Sequence, residues 1–195
     1  VYGGALRQQM ALDMPKASLR VVPEGFTDDE ALSEGRIDLA ICATNKFSSD
    51  IKVQRLFTCP FVGLAREGHP IFDQPITAQR FIAFDHISVS RRGRARGPID
   101  TVLAEQGLER RVSFTTPTFY SAIFALAGAD LILPLMPQVL LKTLAPMGLK
   151  LRPFELPIPL QPVEIFQAWH PRLDNDHAHR WLRRTLKTFC DNAVA

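Results

Sequence analysis

The chain has 195 residues, 46% apolar and 22% charged, with a formal net charge of +3. That length buries one good core or two modest ones, and the balance is ordinary for a soluble globular protein. The charge is too weak to argue for nucleic-acid binding, and no apolar run is long enough to span a bilayer.

In chain order, residues 5–13 read as a helix with Leu6 and Met10 on one face and Pro15 beyond its end. The stretch 18–41 organises the rest of the chain. Its β-branched run at 19–22 predicts a strand, and Thr27 stands three residues before Glu30, the spacing of a capping box. Asp28 and Asp29 fall in the same first turn, where the helix dipole favours carboxylates. Gly35 closes the short helix, and 37–41 read as a second buried strand. Strand, helix and strand predict a βαβ unit with parallel strands, and so an open α/β sheet binding ligands at strand carboxyl ends. Residues 53–66 look like one long strand-like segment, with Pro60 marking an edge or a bulge. Gly68, Pro70 and Pro75 mark a first domain crossing.

A second α/β set begins with a strand over 81–89. An Arg/Gly loop, containing Arg91, Arg92, Arg94 and Arg96, leads to Pro98 at the first position of a helix that Gly107 ends. Residues 112–115 are a short strand. Thr116 can cap the next helix, whose apolar face is Ile123, Phe124 and Leu126, and Gly128 closes it. A strand at 131–133 is stopped by Pro134, a helix spans 137–144, and 149–156 is extended. Pro157, Pro159 and Pro162 stiffen a second crossing. Residues 163–169 alternate as a strand, and Asp174 caps a final amphipathic helix burying Trp181, Leu182, Leu186 and Phe189. The chain thus leaves a first lobe, builds a second and returns.

Catalytic signatures are weak. His177 and His179, with His170 nearby, sit at a spacing that points to different helix faces, and nothing completes a tetrahedral metal site. His86, Ser88 and Ser90 are neighbours, yet no Gly-x-Ser-x-Gly elbow, GxGxxG or Walker pattern occurs. Cys42, Cys59 and Cys190 form no CxxC pair, and buried thiols suit a reducing compartment. No cofactor and no metal is therefore expected. Strand ends are the better candidates: Glu24, Gly25, Ala43 and Thr44 in the first lobe, Ser88, Ser90, Thr115 and Thr116 in the second. Hydroxyls and helix N-terminal amides can anchor a small anion or carboxylate, Phe26 and Phe119 can supply apolar wall, and Arg91 can clamp a carboxylate. Capping or packing explains each of these residues singly; the set is what points to binding.

Four segments in this order, LRVVPEGFTDDEALSEGRIDLAI at 19–41, REGHPI at 66–71, HISVSRRGRARGPIDTVLAEQGL at 86–108 and WHPRLDNDHAHRWLRRTL at 169–186, resemble the effector-binding domain of LysR-type transcriptional regulators. The resemblance covers essentially the whole chain. It implies an α/β fold of two Rossmann-like lobes, the type 2 periplasmic-binding-protein fold, with 1–74 plus 160–195 as lobe I and 75–159 as lobe II. It further implies a cytoplasmic sensor that takes a small-molecule effector in the interlobe cleft and is not an enzyme. Such domains pair as homodimers or tetramers, here through helices at 28–34 and 118–127. Promoter DNA would be reached through a helix-turn-helix N-terminal to Val1, and no membrane is involved. The competing expectations are a transporter's solute-binding protein, which shares the fold, and a small α/β enzyme using Ser88 or Ser90.

Overall fold

The computed structural model describes residues 2–22, 28–91 and 93–194. Thr27, the first member of the expected capping box, lies outside them. The chain forms two compact units, Val1–Cys59 with Val163–Ala195, and Pro60–Pro162. The divisions fall at 59/60 and 162/163 rather than at 74/75 and 159/160. Pro60 is the reason for the first. It ends β2 (Lys52–Cys59) and precedes β3 (Phe61–Arg66), so the predicted single strand is two strands in two sheets.

In the first unit, α1 (Gly3–Asp13) buries Leu6 and Met10 as its spacing predicts. Residues 19–22, however, form no strand, and Val21 is 82% exposed. A β-branched run lowers the cost of extension but supplies no ladder partner, and pairing decides the strand. α2 (Asp28–Ser33) starts on Asp28, Asp29 and Glu30, and Gly35 leaves it at φ +77°, the left-handed close its position predicts. Arg172 donates to the Leu32 and Ser33 carbonyls at 2.7 and 2.8 Å, satisfying groups this helix end leaves open. β1 (Ala40–Cys42) and β2 both pair antiparallel with β8 (Val163–Trp169), in the order β1-β8-β2. Among the described residues this sheet is antiparallel, and the expected parallel βαβ pair is absent from it.

α6 (His177–Val194) closes the unit. A 3-10 turn at Pro171–Leu173 delays its start, so the cap is Asp176, whose Oδ1 accepts from the His179 amide at 2.7 Å. Asp174, the predicted cap, instead accepts from Trp169 Nε1 at 2.7 Å and pairs with Lys52. Leu186 and Cys190 are buried with Leu6 and Leu56, and Leu182 and Phe189 pack beside them. Trp181 stays half-exposed and donates through Nε1 to Asp13 at 2.8 Å.

The second unit carries the parallel strands that the sequence predicts. β4 (Asp85–Val89) pairs parallel with β5 (Arg111–Thr116) and with β6 (Leu131–Pro137). The crossovers are α4 (Pro98–Glu105), with Pro98 at its first position, and α5 (Phe119–Ala127). β3 joins antiparallel between β6 and β7 (Leu151–Phe154), giving the order β5-β4-β6-β3-β7.

Several local expectations shift. Phe81 is not in a strand but buried in a helical turn, α3 (Ala78–Ile82), docked in the core with Ile71, Ile99 and Leu103. Pro134 does not stop β6: its last β4 partner residue is Ile132, and the β3 register slips between Val62 and Leu64, where a proline is tolerated. Residues 137–144 contain a 3-10 turn, Gln138–Thr143, rather than an α-helix. On α5, Ile123 and Leu126 are buried but Phe124 is 59% exposed.

Candidate functional site

The site grows from the carboxyl ends of β4 and β5. Parallel pairing places Ser88 opposite Thr115 and Val89 opposite Thr116, and the Ser90 amide donates to the Thr116 carbonyl at 2.9 Å. The Ser88 hydroxyl donates to the Arg94 carbonyl at 2.9 Å, and the Arg94 amide donates to Ser90 Oγ at 3.0 Å. Both serines therefore shape the Arg/Gly loop from below, and a hydroxyl that accepts retains its proton for a ligand. Gly93, at φ +65°, makes the turn that returns its own amide to the Ser90 carbonyl.

The far end of that loop is pinned by a pair that the sequence does not announce as a unit. Asp100 accepts from the Gly97 amide at 2.6 Å, the third-position half of a capping box, and from Arg110 Nε and Nη2 at 2.9 and 3.0 Å. Burial pushes the Asp100 carboxyl up, but the Arg110 hydrogen bonds and the Gly97 amide outweigh it and hold the group below the usual carboxylate range. Arg110 is itself 7% exposed. The sequence reading missed both residues: Asp100's three-residue spacing from Gly97 is a local signal that could have found it, whereas no local signal announces Arg110, because only the fold brings residue 110 to residue 100.

α5 is capped not by Thr116 but by Thr118, whose Oγ1 accepts from the Ser121 amide at 3.2 Å. Thr116 ends β5 and is buried. Phe119 opens the helix, half-buried against the core that includes Ile87 and Ile123. Ser88, Ser90, Thr115, Thr116 and Phe119 thus lie at or just beyond the carboxyl ends of β4 and β5, and Arg91 lies exposed on the loop leaving β4. Ala43 and Thr44 follow β1 in the first unit, both exposed; Thr44 Oγ1 accepts from the Lys46 amide at 3.1 Å. Glu24, Gly25 and Phe26, with Arg92, lie outside the described residues.

The hydroxyl edge is not wired for nucleophilic catalysis. His86 is fully buried, its Nε2 donates to the Phe81 carbonyl at 2.9 Å, and burial drives its pKa down to about 4. The Ser88 hydroxyl is engaged with the Arg94 carbonyl, so base and hydroxyl point to different partners. His179 Nε2 meets the Asp38 carbonyl at 2.8 Å while its Nδ1 accepts from Arg183. Among the described residues no cluster of His, Cys, Asp and Glu suits a metal. The three cysteines are buried and none is in a disulfide.

An open α/β sheet with parallel strands is an architecture that holds small molecules at the strands' carboxyl ends. The chain belongs to the LysR substrate binding domain family, whose pattern matches residues 6–191. It is 32% identical to the HTH-type transcriptional regulator LinR of Sphingobium indicum, over 93% of this chain and 60% of that protein. It is 28% identical to the HTH-type transcriptional activator NahR of Pseudomonas putida, over 80% of this chain and 52% of that protein. The chain spans about half to three-fifths of the length of these curated relatives. The regulatory domain of MexT, a transcriptional activator in Pseudomonas aeruginosa, superposes with a TM-score of 0.80 at 26% identity, covering 96% of this chain and 90% of that one. The fold is accordingly that of LysR regulatory domains, as the resemblance implied.

Proposed function

We propose that this chain is the effector-sensing and oligomerisation part of a LysR-type transcriptional regulator acting in the cytoplasm. The family match over residues 6–191 carries the reading, and relatives named as regulators favour it over a transporter's solute-binding protein or a small enzyme. Promoter DNA is contacted by a part of the parent protein outside this chain. Buried thiols outside disulfides fit a reducing compartment, and no helix of the described residues is long and apolar enough to cross a membrane.

The effector is a small carboxylate or other anion held at the β4–β5 edge. Ser90 and Thr115 supply hydroxyls, the amino end of α5 supplies amides, Phe119 an apolar wall and Arg91 a cation. Ala43, Thr44, Glu24, Gly25 and Phe26 are the candidates in the first unit. The assembly is a homodimer through α2 and α5, and the exposed Tyr120 and Phe124 on α5, 50% and 59% accessible, support a covered helix face.

A thermal-shift screen of aromatic and aliphatic carboxylates tests this reading, with light scattering on the same samples. At least one carboxylate raises the melting temperature, and Ser90→Ala together with Thr115→Ala abolishes the shift. A screen without any shift at millimolar ligand would overturn the sensing role, and a monomeric mass at high concentration would overturn the dimer.

A further inference from the structure

A second feature belongs wholly to the first unit. One face of α6 presents Arg180, Arg183, Arg184 and Lys187, the i, i+3, i+4, i+7 spacing that aligns side chains on one stripe. With Gln54 of β2, Trp169 of β8 and Thr188 they line a depression of about 560 Å³. That volume is within the range of small-molecule sites. Four of the seven lining residues are cations, and none is a carboxylate.

Among the described residues the three arginines are positioned without a carboxylate partner, while Lys187 pairs with Asp191. The Arg183 guanidinium lies 4.5 Å from the centre of the Trp169 ring, and its nitrogens donate to the Leu173 and Asp174 carbonyls at 3.2 and 3.3 Å. Arg180 Nη2 donates to the Asp174 carbonyl at 3.3 Å and to Asn175 Oδ1 at 3.4 Å. All of these acceptors are uncharged. The neighbouring carboxylates have other partners: Asp174 pairs with Lys52 and accepts from Trp169, Asp176 accepts from the His179 amide, and Asp191 pairs with Lys187. Among the described residues Arg184 enters no ion pair. Burial lowers the Arg183 guanidinium from its ordinary value, and Arg180 and Arg184 add to this against Asp174.

The neutral lining residues are tuned the same way. Gln54 Oε1 accepts from Gln167 Nε2 at 2.6 Å, which leaves the Gln54 carboxamide nitrogen as a donor. The surface is rich in donors and poor in acceptors, around more than one uncompensated positive charge. A ligand with many acceptor oxygens and a charge of at least two matches it, whereas a monocarboxylate would leave guanidinium groups unanswered.

We propose that this depression is a second binding site, for a small phosphate-bearing ligand with two or more negative charges. It is independent of the strand-edge site. Titration calorimetry of the chain with inorganic pyrophosphate tests it, at low and at physiological ionic strength. The expected result is one saturable site that weakens as salt rises. Arg184→Gln combined with Lys187→Gln weakens it at least tenfold without changing the melting temperature, since both side chains reach solvent. Ser90→Ala leaves it unchanged, which separates this site from the effector site. Absence of saturable uptake, or unchanged affinity in the double variant, would overturn the proposal. Equal affinity for citrate would overturn the phosphate assignment, and salt-dependent binding of a short DNA duplex on these residues without pyrophosphate saturation would overturn the small-ligand assignment.

Discussion

Arg110 shows how a single residue governs the candidate site from beneath. Its forked pair with Asp100 is almost dry on the arginine side, with side-chain exposures of 2% and 18%. Removing one member of such a pair leaves the other charge buried without a partner. Arg110→Ala is expected to destabilise the second unit by about 3 kcal/mol in urea unfolding, because one-sided removal of a buried pair costs about 3–5 kcal/mol and Asp100 keeps some solvent contact. Arg110→Lys recovers only part of this, since an ammonium cannot chelate both carboxylate oxygens. Full recovery by lysine would show that charge alone matters. Ser88 and Ser90 were legible as strand-end hydroxyls; that they brace the Arg/Gly loop was not, because the acceptor and donor at Arg94 reach them only through the turn at Gly93.

At the scale of elements, the second unit followed its local signals more closely than the first. Pro98, Gly107 and the short strand around 112–115 punctuate β4–α4–β5 as predicted, since these signals act within a few residues. Where an element depends on a neighbour, the local signal misled: 19–22 has strand propensity but no ladder, and 53–66 has continuity but changes sheet at Pro60. Gly63 marks a tertiary demand of this kind. It pairs with Phe154 across β3 and β7, and a Cβ there would lie 2.3 Å from Phe154 Cζ. The ring cannot swing away easily, being packed edge-on to Phe72 and Phe81 at centroid distances of 5.9 and 6.4 Å. Gly63→Ala should therefore cost about 1–3 kcal/mol by overpacking, read as a lower thermal midpoint. Adding Phe154→Leu should restore most of it. A single variant as stable as the parent would contradict this packing account.

At the scale of the whole molecule, three buried histidines make stability depend on acidity. Burial lowers His69, His86 and His179 below the ordinary imidazole value, His86 to about 4. The unfolded chain takes up protons on these groups near pH 6.5 while the native chain stays neutral, so stability is complete above that pH and falls as pH drops toward 4. His86 alone should remove on the order of 2 kcal/mol by pH 5, at 1.36 kcal/mol per pKa unit. Urea midpoints at pH 7 and pH 5 check this, and His86→Gln should flatten the slope. Identical midpoints at the two pH values would refute it.

By itself the sequence determined the α/β class, the excursion from one unit into another and back, the capping and closing residues at Pro98, Gly35 and Gly107, and the hydroxyl-bearing strand ends. Each of these rests on dihedral preference, hydrophobic period or turn chemistry, which operate over a few neighbouring residues. Only the tertiary structure decided that Pro60 separates the units, that the first unit's described sheet is antiparallel, that Thr118 and Asp176 rather than Thr116 and Asp174 cap their helices, and that Arg110 answers Asp100. It also gathered Gln54, Trp169 and the α6 cations around one depression. Those choices depend on which groups meet across long stretches of chain, where burial and pairing outweigh the preferences of any single segment.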